Sequence, residues 1–226
     1  MTEHIRAVVI DIEGTAAPVT FVTEVLFPFA RARLDWYLET HADDPIVVEA
    51  LTEAGSLVDA GPLSPQAAAA LFRTWMDEDR KATPLKTIQG LIWEEGYADG
   101  AIRGELYSEV PDRLAAWAAA GKRLFIYSSG SERAQRLLFG HTADGDLTPL
   151  FEGFFDTRIG PKTSPSSYGA ILDRIRLPGD AVIFLSDSEA ELDAAAAAGL
   201  RTARLARDGA VESRHAVHRD FLTIGI

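Results

Sequence analysis

The stretch Ile5 to Thr15, IRAVVIDIEGT, carries the reading that decides the fold. Its first six residues form a short, mostly β-branched run, the pattern of a strand buried on both faces. The run stops at Asp11-Ile12-Glu13-Gly14-Thr15, a polar turn whose glycine permits a tight bend and close approach of the backbone to a ligand. A carboxylate just past a buried strand, with another two residues later, suits phosphoryl transfer. Asp11 can attack phosphorus while Glu13 handles protons. Acids and glycine are also ordinary turn residues, so a solvated turn explains the segment as well when it is taken alone.

Working outward, the pattern from about Phe21 to Gly104 is helical, with almost no strand signal. Leu34, Tyr37 and Leu38 share one face, as do Leu71, Trp75 and Met76. Gly61-Pro62-Leu63-Ser64-Pro65 breaks two of these helices, with Ser64 as N-cap and Pro65 at the first helical position. Three or four helices are expected here. Beyond them, helices and strands alternate. Helices are expected over Pro111–Ala120, from Ser131 to Leu138, over Ser166–Arg174 and over Ala190–Ala198. Strands are expected over Arg123–Tyr127, Ala181–Leu185 and Thr202–Leu205. Alternation of this kind predicts a parallel sheet with helices on both faces, and the helical block is then an insertion after the first strand. Ligands of such sheets sit at the carboxyl ends of strands, which brings the residues after Ile10, Tyr127 and Leu185 into one crevice.

Composition narrows the partner. With 226 residues, 47% of them apolar, the chain can bury a core and an insertion, and its formal charge of -12 argues against binding a nucleic-acid backbone. A small phosphate ester remains compatible with an acidic chain if a metal ion and a lysine reverse the local field. There are no cysteines, hence no disulfide framework and no thiolate chemistry. Glu3, His4 and Arg6 beside a very short apolar run do not read as a secretory signal. A cytoplasmic location is expected, and with no obvious coiled coil, a monomer.

Three further strand-end positions carry candidate chemistry. Ser128-Ser129-Gly130-Ser131 follows RLFIY, and hydroxyls backed by helix N-terminal amides can hold phosphate oxygens, although capping by Ser131 explains the segment too. Lys162 precedes a helix and can neutralise a phosphoryl oxygen together with the nucleophile, while most loop lysines are simply solvated. Asp187 follows AVIFLS, and facing Asp11 across adjacent strands it would complete a carboxylate site for a hard cation such as Mg²⁺. It can equally be a helix-capping acid. Glu191 reads either as a holder of a metal-bound water or as an exposed helix residue. His215 and His218 read as a C-terminal surface pair.

Acid, hydroxyl, lysine and acid, each at a strand end and in this order, resemble the four motifs of the haloacid dehalogenase superfamily. The segments DIEGT, FPFAR, LKTIQG, IYSSGS, LLFGH and FDTRIGPK, spread along most of the chain, further resemble the enolase-phosphatase family of methionine salvage. Most phosphatases of the superfamily carry Asp two residues after the nucleophile, where this chain has Glu13. The resemblance implies an α/β fold: a doubly wound parallel-sheet core of Rossmann type from residues 1–16 and 106–226, with a helical cap inserted at residues 17–105. It implies one Mg²⁺ per subunit, held by Asp11, the backbone carbonyl of Glu13, and Asp187. Asp11 would form an aspartyl-phosphate with Glu13 as acid and base, while Ser128, Ser129 and Lys162 bind the phosphoryl group. The cap would supply the substrate pocket, and Phe27, Trp93 and Tyr97 either line it or pack its core.

The implied substrate is a small molecule, 2,3-diketo-5-methylthiopentyl-1-phosphate, enolised and then dephosphorylated to an acireductone. Other readings of the same pattern are a magnesium-dependent phosphatase for a sugar phosphate or phosphoglycolate, and an inactive phosphometabolite-binding protein.

Overall fold

The computed structural model describes residues 5–209 and 211–226; Glu3 and His4 lie outside them. The chain divides into two compact units, Thr20–Ile102, and Met1–Val19 with Arg103–Ile226. The expected divisions fall after residues 16 and 105.

Among the described residues the helical unit opens with a π-type turn, Phe21–Leu26, that runs into α1 (Phe27–Thr40), followed by α2 (Pro45–Ser56), α3 (Pro65–Asp77) and α4 (Thr83–Ala98). Each helix carries proline in its first turn, where a missing N–H costs nothing. Two also have side-chain caps: Asp44 accepts from the Ile46 amide at 2.7 Å and Ser64 from Ala67 at 3.2 Å. Leu34, Tyr37 and Leu38 are buried as their spacing predicts. On α3 the buried stripe is Ala68, Phe72 and Trp75 rather than Leu71, Trp75 and Met76, so the inward face sits about one residue round from the expected one. Trp93 and Tyr97 are core residues of this unit. The Trp93 ring lies 6.2 Å from that of Phe27, and its Nε1 donates to the Leu26 carbonyl at 2.8 Å.

The other unit is built on a sheet of six strands among the described residues: β1 (Ala7–Ile10), β2 (Arg123–Tyr127), β3 (Phe151–Phe155), β4 (Val182–Ser186), β5 (Arg201–Leu205) and β6 (Ala216–His218). They pair in parallel in the order β3-β2-β1-β4-β5-β6. Helices α5 (Val110–Ala119), α6 (Glu132–Gly140), α7 (Pro165–Ile175) and α8 (Glu189–Ala197) accompany it. Val9, Phe125, Tyr127 and Phe184 pack with Tyr168 and Ile171 of α7 and Leu192 of α8. The alternate residues Val8, Ile10, Leu124 and Ile126 point the opposite way and are just as buried. Burial of both faces explains why these strands are continuously apolar instead of alternating.

Two strands were not expected. In β3, Phe-Glu-Gly-Phe-Phe includes a charge and a glycine that weaken the strand signal. Cross-strand contacts supply what propensity lacks: Glu152 pairs with Arg123 at 2.8 Å, and Gly153 lies under the Phe125 ring. β6 is a three-residue edge strand. It also corrects the reading of the histidines. His218 lies in a strand, and the side chain of His215 is largely buried, with Nδ1 2.7 Å from Thr202 Oγ1 and Nε2 3.2 Å from Asp193.

Candidate active site

The strand order turns back on itself at β1. From β1 the chain goes to β2 and β3 on one side, and then to β4, β5 and β6 on the other. The reversal opens a crevice beyond the carboxyl ends of β1 and β4, the place where α/β sheets bind ligands. Ile10 stands level with Leu185, and the Asp11 amide donates to the Leu185 carbonyl at 2.9 Å. Asp11 and Ser186 therefore leave the sheet side by side, and Asp187 follows.

The turn after β1 is organised around a single acceptor. The Ile12 carbonyl receives the amides of Thr15, Ala16 and Ala17, and Gly14 donates back to the Ala17 carbonyl at 2.8 Å. Gly14 adopts φ +70°, and a Cβ there would run into the Asp187 carboxylate. That position is thus fixed as glycine twice, by conformation and by space. Thr15 crosses to the facing strand, where its Oγ1 accepts from the Asp187 amide at 3.0 Å.

Lys162 reaches the crevice from the loop between β3 and α7. It is 7% exposed, and its Nζ lies 2.5 Å from Asp11 Oδ1 and 2.7 Å from Glu191 Oε2. Its loop is braced through three carbonyls: Tyr127 donates to Gly160, Ser167 to Pro161 and Tyr168 to Lys162 itself, at 2.8–2.9 Å. Ser186 links the acids, its hydroxyl lying 3.2 Å from Asp11 Oδ2 and 3.1 Å from Glu191 Oε2.

Asp11 and Glu191 thus share one ammonium, and Asp187 stands close enough to feel the charge of Asp11. Burial first, and then the Asp11 charge, push both Asp187 and Glu191 above the usual carboxylate range. Burial opposes the charge of Lys162, but Asp11 and Glu191 outweigh it and hold the lysine above its ordinary value, so it stays charged. The cluster sets three carboxyl groups beside a single lysine. Its oxygen-only donors are those a hard divalent cation takes.

The structure brings Asp11, Lys162 and Asp187 together. Ser128 is buried just past β2, its Oγ accepting from the Gly130 amide at 3.1 Å, whereas Ser129 is exposed. Glu13 occupies the β1 turn, bridged to Ala17. Sequence reasoning left Glu191 undecided and passed over Ser186. Glu191 sits in the first turn of α8 and so reads as a dipole-matched surface acid; its tie to Lys162 spans 29 positions and has no local signal.

Residues 5–199 match the family model "haloacid dehalogenase-like hydrolase". The chain is 49% identical over 211 residues to the "Enolase-phosphatase E1" of Methylococcus capsulatus, covering 93% of each chain. It is 51% identical over 203 residues to the protein of the same name from Parvibaculum lavamentivorans, covering 90% of this chain and 86% of that one. The crystal structure of the Saccharomyces cerevisiae UTR4 protein superposes with a TM-score of 0.83 at 32% identity, over 97% of this chain and all of that one.

Proposed function

The chain belongs to the haloacid dehalogenase-like hydrolases, and within them to the enolase-phosphatase E1 family; from that premise we propose how its residues carry out the reaction. It is a phosphatase, the enolase-phosphatase of methionine salvage, acting on 2,3-diketo-5-methylthiopentyl-1-phosphate by way of its enol phosphate and releasing phosphate and an acireductone. The observation that carries the mechanism is the buried Lys162–Asp11 contact of 2.5 Å at the β1/β4 crevice, with Asp187 across from it.

One Mg²⁺ per chain fits the grouping of Asp11, Asp187 and Glu191 around a single lysine. Asp11, Asp187 and the Glu13 backbone carbonyl would hold it, and it would supply the charge neutralisation that lets an anionic nucleophile meet an anionic ester. A carboxylate oxygen of Asp11 attacks phosphorus, and the ester P–O bond breaks as Glu13 gives its proton to the leaving oxygen. Glu13 then takes a proton from the water that attacks the aspartyl-phosphate. Phosphate departs and the Asp11 carboxylate is restored. Lys162 balances charge on Asp11 and the transferring oxygens throughout, and Ser128 and Ser129 present hydroxyls and amides to those oxygens. Asp11, Glu13, Ser128, Lys162 and Asp187 all come from one unit of one chain, which is consistent with a monomer. No helix of the described residues is long and apolar enough to cross a membrane.

The test is to supply the purified protein with the diketo phosphate ester and Mg²⁺ while recording free phosphate and the ultraviolet-absorbing enediol, with a chelated control. Both products appearing together, and only with metal, is the expected result. Folded, magnesium-loaded protein that forms neither would overturn the assignment.

A further inference from the structure

Beyond Asp11 the β1–β4 ladder ends, and something else must set the distance between the turn after β1 and the acid after β4. Thr15 spans that gap and is held at both ends. Its hydroxyl accepts from the Asp187 amide, and its carbonyl accepts from Arg207, at 2.5 Å from Nη2 and 3.2 Å from Nε. Arg207 lies two residues past β5, and its side chain is only 8% exposed. Its remaining nitrogen, Nη1, contacts Glu109 Oε1 at 2.5 Å and the Arg219 carbonyl at 3.4 Å, and the guanidinium lies 3.9 Å from the centre of the Tyr107 ring. The segment carrying Glu109 is itself pinned to the turn, since the Tyr107 amide donates to the Ala16 carbonyl at 3.0 Å, and Glu109 also accepts from the Phe221 amide at 3.3 Å.

We propose that Arg207, oriented by Glu109, is a positioning residue for the divalent-cation site: it sets the separation of the Asp11 turn from Asp187 through Thr15, and so sets cation affinity without touching substrate. The inference rests on the metal reading given above. A guanidinium is suited to the task because its fork is rigid. Two N–H groups converge on one carbonyl while a third nitrogen holds the carboxylate, so the direction of the Thr15 carbonyl is fixed as well as its distance. A lysine in its place would keep the charge and the contact with Glu109 but lose the fork. Groups that orient metal ligands from behind change metal affinity when they are removed, often by 10–100-fold.

The experiment measures equilibrium binding of Mg²⁺ by calorimetry, and of Mn²⁺ by electron paramagnetic resonance, to the full chain and to R207K, R207Q and Thr15→Val. Arg207→Lys is expected to weaken binding roughly 10-fold, and Arg207→Gln and Thr15→Val at least as much. The substrate KM at saturating metal should move far less than the metal constant. Where Arg207→Gln fails to fold, R207K and T15V carry the test, because both leave the Glu109 carboxylate a cationic partner. Folded R207K and T15V binding Mg²⁺ within twofold of the parent would overturn the inference and reduce the Arg207–Glu109 pair to a structural clasp. A parent protein that binds neither ion would instead overturn the metal reading, and the inference with it.

Discussion

The two units bury different things. Of the buried polar and charged residues among those described, Thr15, Ser128, Gln135, Thr142, Ser167, Ser186, Asp11, Asp156 and Lys162 belong to the sheet unit, and only Gln89 to the helical one. Removing such groups from water costs free energy unless each finds a partner. The helical unit avoids that cost with a stripe of Leu34, Leu38, Phe72 and Trp75. The sheet unit meets it with paired charges at the strand ends. The helical unit buries mostly apolar side chains, whereas the unit that carries the candidate chemistry holds ions where water would otherwise be.

The largest expected effect that would break this contrast comes from the nucleophile. Asp11→Asn should lower phosphate release by at least roughly a thousandfold with the thermal midpoint near that of the parent; turnover retained at a substantial fraction of the parent rate would remove Asp11 from its role. Lys162→Met comes next. It leaves Asp11 and Glu191 without their shared cation, and should cost about 3 kcal/mol of stability in urea unfolding together with about 100-fold in turnover. Should stability hold while activity falls, the lysine would matter to the reaction but not to the balance of buried charge.

Trp75→Ala probes the other unit. The ring is 1% exposed and lies 5.6 Å from that of Phe72, so its loss should cost about 3–5 kcal/mol and leave Mg²⁺ affinity of the folded protein unchanged. A shift in metal affinity would show that the division of labour between the units is not as sharp as burial suggests.

Smallest is a pH effect at Asp156, just past β3. Burial disfavours its charge, but the hydrogen bonds from Arg158 and from the Glu132 amide prevail and hold the carboxyl below its usual range. Its stabilisation should therefore be present above about pH 4 and fade as pH falls through the lowered folded value. Compared with the parent, Asp156→Ala should lose about 1 kcal/mol at neutral pH through its lost hydrogen bonds and converge with it in acid. A gap that persists at low pH would assign the effect to packing.

What the sequence revealed followed from locality. Ser64 and Pro65 mark the start of a helix because a cap acts within one turn, and the acids after β1 and β4 stand out because each lies just past a short apolar run. What stayed hidden depends on distant partners. Nothing near Glu191 announces Lys162, nothing near Thr15 announces Arg207, and β3 is held by contacts to β2 that its own residues do not advertise. His215 misled for the same reason, since Thr202 and Asp193 bury it from other elements.

The strand order also imposes a schedule on synthesis. β1 occupies the middle of the sheet and is made first, yet its two neighbours, β2 and β4, begin only at Arg123 and Val182, after the whole helical unit. At ~5–20 residues per second the apolar run from Ala7 to Ile10 must wait about 6 to 23 seconds for its first partner to leave the ribosome. During that interval every residue of the helical unit has been made, and its contacts, being local in sequence, are of the kind that form fast. The nascent chain thus passes through a stage in which the helical segment is complete while the eventual centre of the sheet is still unpaired, and at that stage a chaperone that grips short hydrophobic segments has most to offer it.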